Sequence, residues 1–263
     1  MQLNLQHKVA VVCAASRGLG RASALALARE GASVVICARH EGPLADAAAA
    51  IAAATGARVV PVVADVSRAA DVTALVEAAV RHFGGIDILV TNAGGPPSGR
   101  FEALDDDAWA AAIDSLLMGV VRLCRGTIPI MRRRGGGRIV HVTSVSVKQP
   151  VESLVLSNAI RAAVTGLAKT LAMELAGDRI TVNCVAPGYT STDRVVELAE
   201  QTAVREGVAI ELVQKRTEAL IPAGRMGSPE EFGDVVAFLA SDRASYVTGT
   251  TLQVDGGYVR SLL

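Results

Sequence analysis

The chain has no net charge to offer: 26 Lys plus Arg balance 26 Asp plus Glu over 263 residues. Composition therefore creates no field that would draw a nucleic acid or an acidic membrane surface, and a small neutral or anionic ligand has to be held locally. Cysteine is sparse. Cys13, Cys37, Cys124 and Cys184 are widely separated, with no Cys-x-x-Cys and no His pair at ligand spacing, a pattern that argues against a metal site and predicts reduced, buried thiols. No stretch reaches the roughly 18 apolar residues of a membrane span, and the opening MQLNLQHKVAVV lacks a basic segment followed by an apolar run and a cleavage site. A soluble, cytoplasmic protein is expected. Linkers, internal repeats and composition breaks are also missing, so one domain is expected over 1–263.

What is present is a core. Hydrophobic residues make up 51% of the chain, and short β-branched runs alternate with Ala- and Leu-rich helical segments. KVAVVCA, SVVICAR, RVVPVVA, IDILVTN, GRIVHVTS, RITVNCVAP and TTLQVD are strand candidates. Continuously apolar strands separated by helices predict a parallel sheet covered on both faces, a doubly wound, Rossmann-like three-layer αβα domain. Ser228, Pro229 and Glu231 form a helix start with a capping box. Asp105, Asp106 and Asp107 suit another helix N-terminus, and Arg132, Arg133 and Arg134 read as a solvated helix end. From Leu154 to Leu175 the apolar residues Ile160, Val164, Leu167, Leu171 and Leu175 recur at helical spacing, with Ser157 and Arg161 stacked at the rim of that stripe.

The first chemistry appears at the end of strand one, in CAASRGLGRASALALA. Gly18 and Gly20 allow close backbone approach, and a helix opening there aims its free N–H groups at a diphosphate. Strand two ends at Ala38 followed by Arg39, where a site for NAD would place an acid. Arg17 and Arg39 can instead meet a 2′-phosphate through charge-assisted bonds, which favours NADP(H) over NAD(H). The alternative is a pair of solvated arginines.

With these motifs in place, the chain resembles the short-chain dehydrogenase/reductase family over nearly its whole length, especially the 3-oxoacyl-[acyl-carrier-protein] reductase-like members. The family signature Thr-Gly-x-x-x-Gly-x-Gly falls on Cys13, Ala14, Gly18 and Gly20. The resemblance implies cofactor contacts from Ala14, Ser16, Arg17, Gly18, Leu19, Gly20, Arg39, Asp65 and Val66. It implies the same of Asn92, Ala93 and Gly94, of Arg161, and of Pro187, Gly188 and Thr192 in the loop APGYTST. VTGTTLQVDGG, residues 247–257, matches the family's last strand. The family's catalytic serine falls on Ser144, but its Tyr-x-x-x-Lys pair falls on Ser157 and Arg161, and its helix asparagine on Leu116.

Those three positions remove the usual proton relay. A serine hydroxyl stops roughly 4 Å short of a tyrosine oxygen, judged from bond lengths, and a guanidinium stays protonated. Tyr189 is then the candidate proton donor, with Lys148 and water as weaker choices; alternatively Tyr189 only packs. Ser157 and Arg161 have a structural alternative, the serine packing and the arginine pairing with a carboxylate, and His141 reads as a packed histidine. Three functions stay open: an NADP(H)-dependent oxidoreductase with an atypical centre, a catalytically silent cofactor-binding sensor or subunit, and a non-redox lyase or isomerase reusing the pocket. Residues 189–222 are expected to form an apolar helical lid over an apolar carbonyl or acyl substrate, its helices suggested by the periodic Val196, Leu198, Val204, Val208, Leu212 and Leu220. Arg194, Lys215 and Arg216 can meet an anion there or face solvent. Family resemblance implies a homotetramer.

Overall fold

A computed structural model describes residues 2–262. Seven strands are present: β1 (Val9–Val12), β2 (Ser33–Ala38), β3 (Val59–Val63), β4 (Ile88–Thr91), β5 (Gly137–Val142), β6 (Ile180–Pro187) and β7 (Thr251–Val254). They form one parallel sheet in the order β3-β2-β1-β4-β5-β6-β7. Each falls within a segment expected from the sequence. The reason is burial: the central strands β1 and β4 are enclosed at every position, so their apolar runs are continuous rather than alternating.

One face of the sheet packs against α1 (Gly18–Arg29), α2 (Glu41–Thr55) and α9 (Pro229–Leu239). The other packs against α3 (Ala69–Phe83), α5 (Gly119–Arg133) and α6 (Val155–Leu175). The result is the expected three-layer αβα domain. Between β1 and β4 the strand order changes direction, so the loops after these strands diverge and open a crevice at the sheet's carboxyl edge.

Local signals hold where expected. Ser228 Oγ accepts from Glu231 N at 3.2 Å and the Glu231 carboxylate accepts from Ser228 N at 2.8 Å, the reciprocal box that starts α9. Asp105 caps α4 (Asp106–Ala112) by accepting from Ala108 N at 2.9 Å. The basic run is an exposed helix end, as expected, and two of its cations also make ion pairs: Arg132 with Asp178 at 2.7 Å and Arg134 with Asp87 through two bonds at 2.8 and 2.9 Å. A single π-helical stretch, Ile113–Met118, joins α4 to α5 and was not expected. Among the described residues no helix is long and apolar enough to cross a membrane.

The segment after β6 is helical, as expected, forming α7 (Asp193–Glu206) and α8 (Ile210–Ala219), and of the apolar residues that suggested these helices Val204 is 85% exposed and Val196, Leu212 and Leu220 are also exposed. Ala199, Ala203 and Val213 are buried instead, with Val208 and Ile210 against them. The small residues of α7 let Val213 of α8 approach, and helical periodicity alone does not say which apolar residues are covered.

Candidate functional site

The site is built from the turns that follow β1, β2, β4, β5 and β6. After β1 the chain reverses through Ala14, Ala15, Ser16 and Arg17 into α1. A Cβ at Gly20 would overlap the carbonyl oxygen of Ala14 and lie 2.9 Å from that of Cys13, so only glycine lets α1 press on this turn. Gly18 has φ +56° and Ala14 has φ +49°. Ala14 is thus in the left-handed region, where a methyl group carries strain. Arg17 precedes α1 without any capping side-chain bond, which leaves the first-turn N–H groups of Gly18, Leu19 and Gly20 aimed outward at the positive end of the helix dipole.

Arg39 follows β2 on the surface. Beside it, Asp65 accepts from Ser67 N at 3.0 Å and from Ser67 Oγ at 2.8 Å. Burial works against its charge, but these bonds and the nearby Arg39 and Arg68 hold its carboxyl below the usual range. Arg17 reaches the other way, to Asp193 at 3.4 Å and Glu197 at 3.6 Å on α7. Arg17 lies in the turn after β1 and Arg39 in the turn after the neighbouring strand β2.

Asn92, Ala93 and Gly94 follow β4, and a Cβ on Gly94 would meet nothing within 4 Å, so the surface above it is open. Behind them lies a small cavity lined by Val66, Thr91, Asn92, Leu116, Val142 and Arg161. Arg161 is held there by backbone: its Nη1 donates to Val142 O at 3.0 Å and to Thr143 O at 3.2 Å. The alternative of a carboxylate partner is corrected, since Arg161 forms no ion pair among the described residues. Part of the side chain stays accessible, but desolvation of its charged end lowers the pKa to about 10. Enclosure without a counter-charge is the cause.

Ser144 opens the turn after β5, where its Oγ accepts from Ser146 N at 3.1 Å and keeps its own proton to donate. Ser157, in the first turn of α6, is buried and its Oγ lies 3.4 Å from Ser146 Oγ. The structure therefore brings Ser157 to Ser146, a residue the sequence reading passed over although it lies two positions from Ser144. Lys148 closes the same turn, half-buried. His141 is fully buried with Nδ1 2.8 Å from Thr91 Oγ1 and Nε2 unpartnered; burial pushes its pKa down to about 4.

In the loop after β6, Gly188 N donates to Val254 O at 2.9 Å, and a Cβ at Gly188 would fall 2.6 Å from Asp255 Cβ. Pro187 ends the strand, and Thr192 precedes α7 with its methyl facing Gly18. Tyr189 lies edge-on to Tyr258, ring centres 5.2 Å apart at 90°. Burial, with Tyr258 beside it, raises its phenol to about 12. No hydrogen bond joins Tyr189 to Ser144, Ser157 or Arg161 among the described residues. Tyr258 follows the Asp-Gly-Gly turn, and that turn is the signal that would have placed it here.

Residues 13–259 match the sequence pattern of the enoyl-(acyl carrier protein) reductase family. This chain belongs to the short-chain dehydrogenase/reductase family. It is 38% identical to dehydrogenase/reductase SDR family member 4 of Oryctolagus cuniculus over 254 residues, which is 96% of this chain and 94% of the relative. With the 3-oxoacyl-[acyl-carrier-protein] reductase of Escherichia coli it shares 36% over 255 residues, covering 97% and 98% of the two. Its structure superposes on L-sorbose reductase from Gluconobacter frateurii, solved with NADPH and L-sorbose, at a TM-score of 0.95, 37% identity and full coverage of both chains. The fold, family and oxidoreductase class follow directly.

Proposed function

We propose that the protein is an NADP(H)-dependent oxidoreductase that interconverts a carbonyl and an alcohol, 3-oxoacyl reductase-like, with an atypical catalytic centre. The observation that carries the cofactor reading is the turn after β1, which enters α1 without a capping side chain and carries Arg17, with Arg39 exposed at the end of the neighbouring strand β2. A diphosphate fits the free amides of α1 and the bare Cα of Gly18, and a 2′-phosphate fits the two guanidinium groups. Ser16, Leu19, Gly20, Asp65, Val66, Asn92, Ala93, Gly94, Pro187, Gly188 and Thr192 complete the cradle. The NADPH-bound state of the sorbose reductase neighbour supports the same assignment.

When bound, the cofactor supplies or accepts a hydride. The chain's part is to orient the carbonyl and manage one proton. Ser144 donates a hydrogen bond to the carbonyl oxygen as negative charge builds there. Arg161 keeps N–H donors beyond the two carbonyls it holds, and offers them to ribose hydroxyls. Tyr189 is the proposed proton source: a phenol near pKa 12 is protonated at neutral pH and is still a stronger acid than the alcohol being formed. Ser157 and Leu116 offer no ionisable group, hence an atypical centre.

The substrate class proposed is an apolar carbonyl or acyl compound, covered by residues 189–222 as a helical lid. Four free, buried thiols support a reducing, cytoplasmic setting. Exposed Met173 on α6, Tyr246, and Leu252 on the edge strand β7 support assembly as a homotetramer. A second reading, cofactor binding without turnover, is favoured by one observation: Ser157 and Arg161 are already engaged by Ser146 and by main-chain carbonyls.

A parallel titration of NADPH and NADH, read by quenching of Trp109 and by thermal shift, followed by a carbonyl panel, tests these readings. The oxidoreductase reading expects tight NADPH binding, weaker NADH binding, and oxidation of NADPH by a panel member. Binding without oxidation selects the silent protein; no binding of either dinucleotide removes both.

A further inference from the structure

Arg17 is not free at the mouth of the turn. Its Nη1 lies 3.4 Å from Asp193 Oδ2 and its Nη2 3.6 Å from Glu197 Oε1. Asp193 and Glu197 are four residues apart, so they share one face of α7. That face looks onto the glycine-rich turn, because the methyl of Thr192, just before α7, lies 3.6 Å from where a Cβ of Gly18 would stand. Arg194 of α7 also donates from Nη2 to Pro96 O at 3.1 Å, tying the helix to the loop after β4, and its Nη1 lies 3.6 Å from Oε2 of the same Glu197.

Two carboxylates thus occupy the guanidinium that a 2′-phosphate needs. A phosphate monoester takes an arginine fork bidentately, and that geometry is incompatible with keeping both α7 contacts. A dinucleotide lacking the phosphate makes no demand on Arg17. Arg39, by contrast, forms no ion pair among the described residues and is available throughout. We propose that Asp193 and Glu197 are specificity-determining residues: they latch Arg17 to α7 until a 2′-phosphate takes it, so that NADP(H), and not NAD(H), unfastens α7 from the turn. This rests on the reading that Arg17 and Arg39 receive that phosphate. It makes the position of α7 depend on which dinucleotide is bound.

The test is the double variant Asp193→Asn/Glu197→Gln in the full chain, in the unaltered and Arg17→Ala backgrounds, with thermal unfolding confirming that each folds. NADPH, NADH, adenosine 2′,5′-bisphosphate and adenosine 5′-monophosphate are titrated against each by Trp109 fluorescence. Releasing two exposed pairs should tighten NADPH and the bisphosphate by about three- to tenfold, with NADH and the monophosphate changed by less than about twofold, within the scatter of weak surface pairs. With Arg17→Ala that gain should vanish. Equal gains for phosphorylated and unphosphorylated ligands, or a full gain persisting without Arg17, would overturn the latch while leaving the cofactor reading intact. Failure of the unaltered protein to bind either dinucleotide would overturn the cofactor reading and the latch with it.

Discussion

The ends of β1 and β5 solve the same problem in opposite ways. After β1 the chain exposes backbone: an uncapped helix start, a bare Cα at Gly18, and a glycine at position 20 that lets the helix touch the turn. After β5 the polar groups are side chains, and most of them already have partners within the protein. Ser144 accepts from Ser146, Ser157 lies against Ser146, and Arg161 donates to two carbonyls. A site of the first kind is completed by its ligand. A site of the second kind is stable without one, and its chemistry depends on whatever donors remain. The capping box of α9 marks the same contrast, since Ser228 and Glu231 fill the positions that α1 leaves open.

The largest effect should come from closing the first site. Gly20→Ala would drive a Cβ into the carbonyl of Ala14. Overpacking against backbone that cannot rotate away should cost about 3 kcal/mol of stability and displace the first-turn amides of α1. Urea unfolding should show the loss, and NADPH titration of the folded fraction should show weakened binding. If both stay near the unaltered values, the turn is not the rigid cradle described above.

At the β5 end the matching probe is Arg161→Ala. If the remaining guanidinium donors reach ribose hydroxyls, NADPH affinity should fall by about 1 to 3 kcal/mol, the range for hydrogen bonds to a charged group. Unchanged affinity in a folded variant would confine Arg161 to holding Val142 and Thr143 in place, and would enlarge the contrast with β1.

His141 tests how fully the β5 end is sealed. Its folded pKa of about 4 lies below the ordinary 6.5, so the unfolded chain takes up the proton first and stability must fall as pH drops through that window. Between pH 6.5 and 5, before most carboxylates titrate, the loss should be about 2 kcal/mol. Above about pH 7.5 this contribution is constant. His141→Gln, measured by urea unfolding across the same range, should flatten the slope; a slope unaltered by the substitution would assign the acid sensitivity elsewhere.

The contrast also explains what was legible in the sequence. Burial on both faces writes the central strands β1 and β4 as unbroken apolar runs, the edge strands β3 and β7 were legible from their β-branched residues although partly exposed, and the glycines and arginines of the cofactor turn are local in sequence. Contacts closed over long separations left no such trace. Thr91 meets His141 across 50 positions and Arg17 meets Asp193 across 176. The exposure of Val204 and Leu220 was not legible either, because the contact between α7 and α8 is made by Ala199 and Ala203 against Val213. The distance from Ser157 to Ser146 belongs to the path of the turn after β5, which residue types do not encode.

Ala14 supplies the smallest and sharpest test. Its φ of +49° places an alanine where glycine is at ease. Ala14→Gly removes strain of about 1 to 2 kcal/mol and gives back about 0.4 to 1 kcal/mol through the freer unfolded chain. The net should be a stabilisation of about 0.5 to 1 kcal/mol, visible as a raised unfolding midpoint in urea. NADPH affinity should stay the same, because the turn already has the shape that glycine would give it. A tighter complex would mean that the methyl group distorts the cradle, and a destabilised protein would mean that the left-handed turn is not the one the chain adopts.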